Sequence, residues 1–227
     1  MPEVSIIMPV RNRPNLTRQA IESLLETIDT HDYELIVVDD ASDDRDTVAY
    51  LSTLTDPNIR VITMPSQTHH GACCNAGAAV ARAHSYLYFS DNDVYFTPGW
   101  LQALIEHAQA FPEFGVLGAD RHPYHNILGL HESGDLMVAE SWTQVGYSMF
   151  MTVENFRRFG PFQHDDLSTY GKDDVALCNQ FIAHGFKVGA IQPRRVFHCG
   201  ITKTNGDPAA GAEEFQNQDA PEGVIYE

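Results

Sequence analysis

The run Tyr86-Leu87-Tyr88-Phe89-Ser90 is apolar or aromatic on both faces and stops at two carboxylates, Asp91 and Asp93, one residue apart. A strand with two apolar faces needs cover on both sides, which suits the middle of a sheet. Its C-terminal end is where open α/β sheets bind their ligands. Two Asp in this spacing can share a hard divalent cation, and such a cation commonly holds phosphate oxygens. The plainer alternative for so short a motif is a polar turn, which Asp and Asn also favour.

The rest of the chain sets that strand in a repeating pattern. Strands are expected over 4–10, 34–38, 58–64, 115–118, 145–152 and 186–191. Helices are expected over 15–28 with Asn15 as its cap, over 46–54, over 71–83, from Thr97-Pro98 onward, over 153–159, and from Gly171-Lys172-Asp173-Asp174. Strands alternating with helices argue for βαβ units and a mainly parallel sheet. Residues 119–144 show poor periodicity and read as an irregular binding loop.

Composition sets the outer limits. At 227 residues, 43% hydrophobic and 20% charged, the chain can bury one substantial core. A net charge of -17 argues against a broad grip on nucleic-acid backbone or anionic lipid, though not against an anionic small molecule held through a metal. No apolar run approaches the roughly 20 residues of a membrane span. Met1-Pro2-Glu3-Val4 enters a strand with no basic or apolar leader, so the expectation is a cytoplasmic protein. Cys73, Cys74, Cys178 and Cys199 contain no Cys-x-x-Cys pair, so neither a zinc knuckle nor a disulfide framework is expected.

Several pieces, in order, resemble a nucleotide-sugar glycosyltransferase of the GT-A fold, close to family 2. They are Val4-Ser5-Ile6-Ile7-Met8-Pro9-Val10-Arg11-Asn12, Val37-Val38-Asp39-Asp40-Ala41-Ser42, Asn75-Ala76-Gly77, Phe89-Ser90-Asp91-Asn92-Asp93, Gly171-Lys172-Asp173-Asp174-Val175-Ala176-Leu177-Cys178 and Val196-Phe197-His198. The resemblance implies a single Rossmann-like α/β domain over 1–200, its mainly parallel sheet flanked by helices. Residues 1–93 would form a nucleotide-binding half and 94–200 an acceptor and catalytic half, followed by a polar tail over 201–227.

By the same resemblance, the chain would move a sugar from a nucleotide-sugar, a UDP-sugar, to an acceptor hydroxyl with inversion. Pro9, Val10, Arg11, Asp39, Asp40, Asn75, Asp91, Asn92 and Asp93 would bind the donor. Asp40 would face the uracil, whose N3–H a carboxylate can accept. Asp93 would bind Mn2+ or Mg2+, Asp91 would contact the donor or complete the metal site, and His198 would be a third ligand. Asp174 would be the catalytic base, with Asp173 beside it toward the acceptor. Acids at a helix N-terminus also complement its dipole, which is the bland account of both.

Two positions depart from the family pattern. Asp173 stands where relatives commonly have Glu. Cys74 stands where they often have a donor-binding Arg, and Arg11, Arg13 and Arg82 are the candidates to replace that charge. His69 and His70 read as a solvated loop. Trp142, Tyr124 and Tyr147 are candidates to stack on an acceptor sugar. A nucleotidyltransferase and a non-catalytic binding module are the competing readings; Asp91, Asp93 and the Asp173-Asp174 helix favour sugar transfer.

Overall fold

A computed structural model describes residues 1–29, 32–122, 125–163, 172–200 and 221–225. In chain order its elements are β1 (Val4–Val10), α1 (Pro14–Thr27), β2 (Tyr33–Asp39), α2 (Arg45–Leu51), β3 (Ile59–Thr63), α3 (His70–Val80), β4 (Tyr86–Ser90), β5 (Val94–Phe96), α4 (Trp100–Ala110), β6 (Phe114–Gly118), β7 (Gly129–Ser133), β8 (Leu136–Ser141), β9 (Ser148–Thr152), α5 (Val153–Phe159), α6 (Asp173–Ala183), β10 (Lys187–Gln192) and β11 (Val196–His198).

Among the described residues nine strands form one sheet, in the order β3-β2-β1-β4-β9-β6-β10-β8-β7, and β5 pairs with β11 apart from it. Followed outward from β1, the pairings turn against the common direction only at β9 and β8. Seven of the nine strands therefore point the same way, in line with the mainly parallel sheet expected from the βαβ pattern.

Strand alternation sorts the core into two layers. Ile6, Met8, Val10, Leu35, Val37 and Tyr88 face α1 and α4, against Ala20, Ile21, Leu24, Trp100, Leu101 and Leu104. Ile7, Ile36, Val38, Leu87 and Phe89 face the other way, against Cys73 and Cys74 of α3 and Leu177, Cys178 and Phe181 of α6. Each such side chain contributes about 1.5–3 kcal/mol when fully buried, so both faces of the central strands need their helices.

Local chemistry fixes the helix starts. Pro14 opens α1 directly after Arg13, whose φ is 57°, so the helix begins before the expected Asn15 cap. Asp44 caps α2 through the Thr47 N–H at 2.8 Å, so that helix starts at Arg45, one residue before the expected 46. Gly99 precedes α4, so Thr97-Pro98 lies outside that helix. Residues 119–144 are not wholly irregular: β7 and β8 form an antiparallel hairpin on the sheet edge beside β10. Their half-polar faces (His131, Glu132 and Glu140 lie on them) hid the strand signal. Strand 145–152 starts only at Ser148, and β5, three residues long, was not expected at all.

Among the described residues no helix is long and apolar enough to cross a membrane. Of the polar tail, 201–220 and 226–227 lie outside the described residues. The segment 221–225 lies against α1, where Gln19 exchanges two hydrogen bonds with the Ile225 backbone, at 2.6 and 3.0 Å.

Packing of α3 on the sheet requires a glycine. A Cβ at Gly77 would stand 2.5 Å from Ile7 Cγ2 and 3.1 Å from Val38 Cγ2. Overpacking a core costs roughly 1–3 kcal/mol, against about 1 kcal/mol that Ala gains over Gly in a helix. Gly77→Ala is therefore expected to lower unfolding free energy in denaturant titration; a rise would show that α3 does not sit this tightly on β1.

Candidate active site

The C-terminal ends of β1, β2 and β4 lie side by side, and their loops are stitched together. Val10 pairs with Asp39, and its carbonyl accepts the Asp40 N–H at 2.8 Å. Arg11 donates through Nη1 to the Asp40 and Ala41 carbonyls, each at 2.7 Å. The Asn12 amide nitrogen donates to Asp43 at 2.7 Å, and the Asn12 Oδ1 accepts the N–H groups of Asp43 and Asp44. Pro9 and Val10 are buried within β1, so only the strand end they carry can face a ligand.

Most of the polar residues expected at the donor have structural partners. Asp39 Oδ1 accepts the Ser42 N–H at 3.0 Å and shapes the turn. Asp40 accepts from the Thr68 N–H, the Thr68 hydroxyl and the His69 N–H, and so holds the loop that enters α3. A carboxylate has about four lone-pair sites, so one remains for a ligand donor. Asn92 donates to the Thr17 hydroxyl at 2.7 Å, fastening its loop to α1. Asn75 is turned away from a donor role: its amide nitrogen donates to the Phe162 carbonyl and its Oδ1 accepts the Phe162 N–H, both at 2.9 Å.

Asp93 is buried, at 6% exposed, as are Asp39 and Asp40. Pairing of β5 with β11 sets His198 opposite Val94, and the Cys199 N–H donates to the Asp93 carbonyl at 2.7 Å. His198 Nε2 thereby stands 3.4 Å from Asp93 Oδ1, an ion-pair distance rather than a hydrogen bond, while Arg13 Nη1 donates to Oδ2 at 2.6 Å. Burial alone would raise the Asp93 pKa; the charges of His198 and Arg13 outweigh it and hold the carboxyl below its ordinary value. Burial would lower that of His198, and Asp93 lifts it instead. Tyr147, expected as a sugar platform, is buried: it stacks on His198 at 4.7 Å and donates to Asp120 Oδ2 at 3.1 Å.

Asp93 Oδ1 is buried and has no hydrogen-bond donor. A bare carboxylate oxygen beside an imidazole nitrogen fits a divalent cation such as Mn2+ or Mg2+. Binding would require His198 to give up its proton. Asp91 is directed elsewhere, its Oδ1 2.9 Å from His70 Nε2. Among the described residues no three His, Cys, Asp or Glu side chains enclose a cation site. Magnesium sites on one or two carboxylates commonly complete their shell with water and substrate phosphate.

His70 was expected in a solvated loop. It is instead the first residue of α3, with Nδ1 3.0 Å from Asp173 Oδ2 and Nε2 against Asp91. Both nitrogens face carboxylate acceptors, and an imidazole carries two N–H donors only as the cation. Burial works against that charge; the neighbouring Cys74 sulfur and the carboxylates of Asp91 and Asp173 override it, and the His70 pKa is raised well above its ordinary value. Asp173 and Asp174 lie in the first turn of α6. Asp174 accepts the Val175 N–H at 2.7 Å and the Gly146 N–H at 3.1 Å. Its carboxyl is pushed up to about 6, first by burial and then by the neighbouring charge of Asp173. Asp173 goes the other way, because His70 outweighs its burial.

Each of the three arginines that could replace the charge absent at Cys74 has a partner within the chain. Arg11 is engaged by the Asp40 and Ala41 carbonyls, Arg13 by Asp93 and Arg82 by Glu34. Trp142 is 45% exposed and meets His125 edge-on at 5.2 Å. Tyr124 and Gly171 lie outside the described residues. Sequence reasoning offers no signal for His70, Asp120 and Gly146 as site residues, since their partners are distant in sequence.

A family model described as Glycosyl transferase family 2 matches residues 5–155. That match ends before α6, and so does not reach Asp173, Asp174 or His198. The O-antigen biosynthesis protein RfbC of Myxococcus xanthus is 32% identical over 117 residues, which cover 52% of this chain and 9% of RfbC. The chain spans well under half the length of such curated relatives, 9% of RfbC and 42% of the putative colanic acid biosynthesis glycosyl transferase WcaA of Escherichia coli, which is 34% identical over 121 residues, or 52% of this chain. Two solved structures share the fold. The mannosyltransferase PcManGT of Pyrobaculum calidifontis, in complex with GDP-Man and Mn2+, has a TM-score of 0.67 at 20% identity, over 85% of this chain and 55% of that one. TarS 1-349 of S. aureus, in complex with UDP-GlcNAc, has a TM-score of 0.69 at 16% identity, over 91% and 60%.

The paired contacts of Asn75 give a stability prediction. Asn75→Ala removes two hydrogen bonds to the Phe162 backbone, each worth about 0.5–1.5 kcal/mol. A fall of that size in unfolding free energy is expected. An unchanged stability would return Asn75 to the list of donor contacts.

Proposed function

The chain belongs to glycosyl transferase family 2, and from that footing we propose that it moves a sugar from a nucleotide-sugar, a UDP-sugar, to an acceptor hydroxyl with inversion. The observation that carries this reading is the placement of Asp174, a half-buried carboxyl in the first turn of α6 held by the Gly146 and Val175 N–H groups, with its pKa pushed up to about 6. It is joined to the end of the central strand through Asp173, His70 and Asp91.

In the proposed step Asp174 takes the proton of the acceptor hydroxyl. The hydroxyl oxygen forms its bond to the anomeric carbon as the bond from that carbon to the diphosphate oxygen breaks. The electron pair leaves with the nucleoside diphosphate. A base with a pKa close to working pH is well matched to such a transfer, which a positioned side chain typically speeds by about 10²–10⁴-fold. The N–H groups of Val175 and Gly146 orient the carboxylate.

Asp93 and His198 would hold Mn2+ or Mg2+, with Asp91 on the donor side. Such a cation, when bound, offsets diphosphate charge as a Lewis acid. The orphaned Asp93 Oδ1 supports the metal reading, as does the Mn2+ in the PcManGT complex. The remaining acceptor site on Asp40 suits the uracil N3–H and supports UDP, while the two structural neighbours are complexes with GDP-Man and UDP-GlcNAc.

The pH dependence follows in sign. Asp174 must be ionised to act, so kcat/KM should fall below about pH 6, where the carboxyl takes up its proton. Ionising it also costs stability, because the folded state raises its pKa; that cost grows as pH climbs from 3.8 through about 6. Asp174→Asn should lower kcat by about 10²–10⁴-fold and abolish the acid limb. Full turnover in that variant would remove the base assignment.

For the donor, thermal unfolding with UDP, GDP, CDP and dTDP, each with and without Mn2+, is the direct measurement. A ligand present at 100 times its Kd stabilises by about 2.7 kcal/mol. UDP is expected to do so only with Mn2+. Stabilisation by GDP alone would overturn the uracil reading, and equal stabilisation without metal would overturn the role of Asp93 and His198.

A further inference from the structure

We propose that His70 is a positioning residue for the transfer, spanning from Asp91 at the donor edge to Asp173 on the base helix and thereby setting where Asp174 stands relative to the donor. The proposal rests on Asp174 as base and Asp91 as a donor-side group.

Its ring is bonded at both ends, Nε2 to Asp91 at 2.9 Å and Nδ1 to Asp173 at 3.0 Å. These carboxylates belong to different parts of the fold, one just past β4 and the other opening α6. Helix α3 supplies a firm base for the link, since its Gly77 face lies against Ile7 and Val38. Below the ring, Cys74 Sγ lies 3.6 Å from Nε2, and Phe162 meets it edge-on at 6.2 Å.

Two glycines allow the approach. A Cβ on Gly71 would come within 2.9 Å of Asp173 Oδ2, and one on Gly146 would come within 3.3 Å of His70 Cε1 and 3.7 Å of Asp174 Oδ2. The Gly146 N–H that orients Asp174 thus sits next to the His70 ring. Asp173 and Asp174 share the first turn of one helix, so a displacement of either displaces the other. Misplacing a reacting group by about 1 Å can cost about 10²-fold in rate.

A plain structural clip between α3 and α6 would show the same contacts, and kinetics separates the two. The measurement is nucleoside diphosphate release from UDP- and GDP-sugars with Mn2+, with water or an added sugar as acceptor, for the wild-type chain, His70→Ala, His70→Asn and His70→Gln. Thermal unfolding of each variant accompanies it. His70→Ala is expected to lose about 10- to 100-fold in kcat, with donor KM little changed and the chain still folded. His70→Asn and His70→Gln, whose amides reach toward the Nδ1 and Nε2 positions, should fall between Ala and wild type, and they carry the test if His70→Ala does not fold.

The coupling is then read against Asp173→Asn. If His70 acts through Asp173, its loss should cost less than about two-fold in that background. Multiplying effects on kcat, or a His70→Ala kcat within about two-fold of wild type, would overturn the proposal. So would a loss that tracks the folded fraction alone. A wild-type chain that releases nucleoside diphosphate from none of these donors would sink the glycosyl-transfer reading itself, and the His70 role with it, whereas an active wild type with indifferent His70 variants would sink only the latter.

Discussion

A carboxylate removed from water has to find positive charge or hydrogen-bond donors, or else give up its ionisation. The site is built around that requirement. The sheet ends its central strands in acids, and the loops around them are arranged as their partners. Asp39 is met by the Ser42 N–H, Asp40 by Thr68 and His69, Asp93 by Arg13 and His198, and Asp91 and Asp173 by His70. The left-handed residues Asn12, Arg13, Ala41 and His69 all lie in these loops. Such conformations cost energy for non-glycine residues, and here each lies beside a backbone or side-chain group bonded to a neighbouring loop.

The sheet order explains why these loops converge. β1 lies between β2 and β4, so the chain leaves the sheet edge on both sides of one strand and a crevice opens between the loops. Antiparallel β9 lies beyond β4 and delivers the Gly146 to Ser148 segment to the same edge, where it meets Asp174 and Asp120. The small β5–β11 pair carries His198 to Asp93 and against Tyr147 of that segment. Each contributor comes from a different stretch of sequence, and the strand pairings bring them together.

That division decides what the sequence could tell. The buried central strands were legible because both their faces are apolar, and the acids at their ends stand out against such runs. The β7–β8 hairpin was hidden by half-polar faces at a sheet edge, and β5 is too short for any periodicity. Roles were harder than positions. Asn75 matched a family piece, yet its partner Phe162 lies 87 residues away, and that pairing, not the motif, fixes its side chain. His70 carried no local signal, because its Asp173 contact spans 103 residues. Cys74 showed a missing charge, and only the folded chain shows Arg11, Arg13 and Arg82 already engaged.

Asp173 and Asp174 show how far environment outweighs residue type. They are the same amino acid in adjacent positions of one helical turn, and their pKa values move in opposite directions. Asp173 faces the His70 ring and stays charged. Asp174 points to the backbone of Gly146 and bears both its own burial and the negative charge of Asp173. Pairs of carboxyls driven apart in this way are how one site obtains a fixed charge and a proton acceptor from identical groups. The separation depends on the imidazole. Without it Asp173 would keep its burial and lose its counter-charge, and the difference that marks Asp174 as the group titrating near neutrality would narrow. The link from donor edge to base helix is thus electrostatic as well as geometric, and one side chain supplies both.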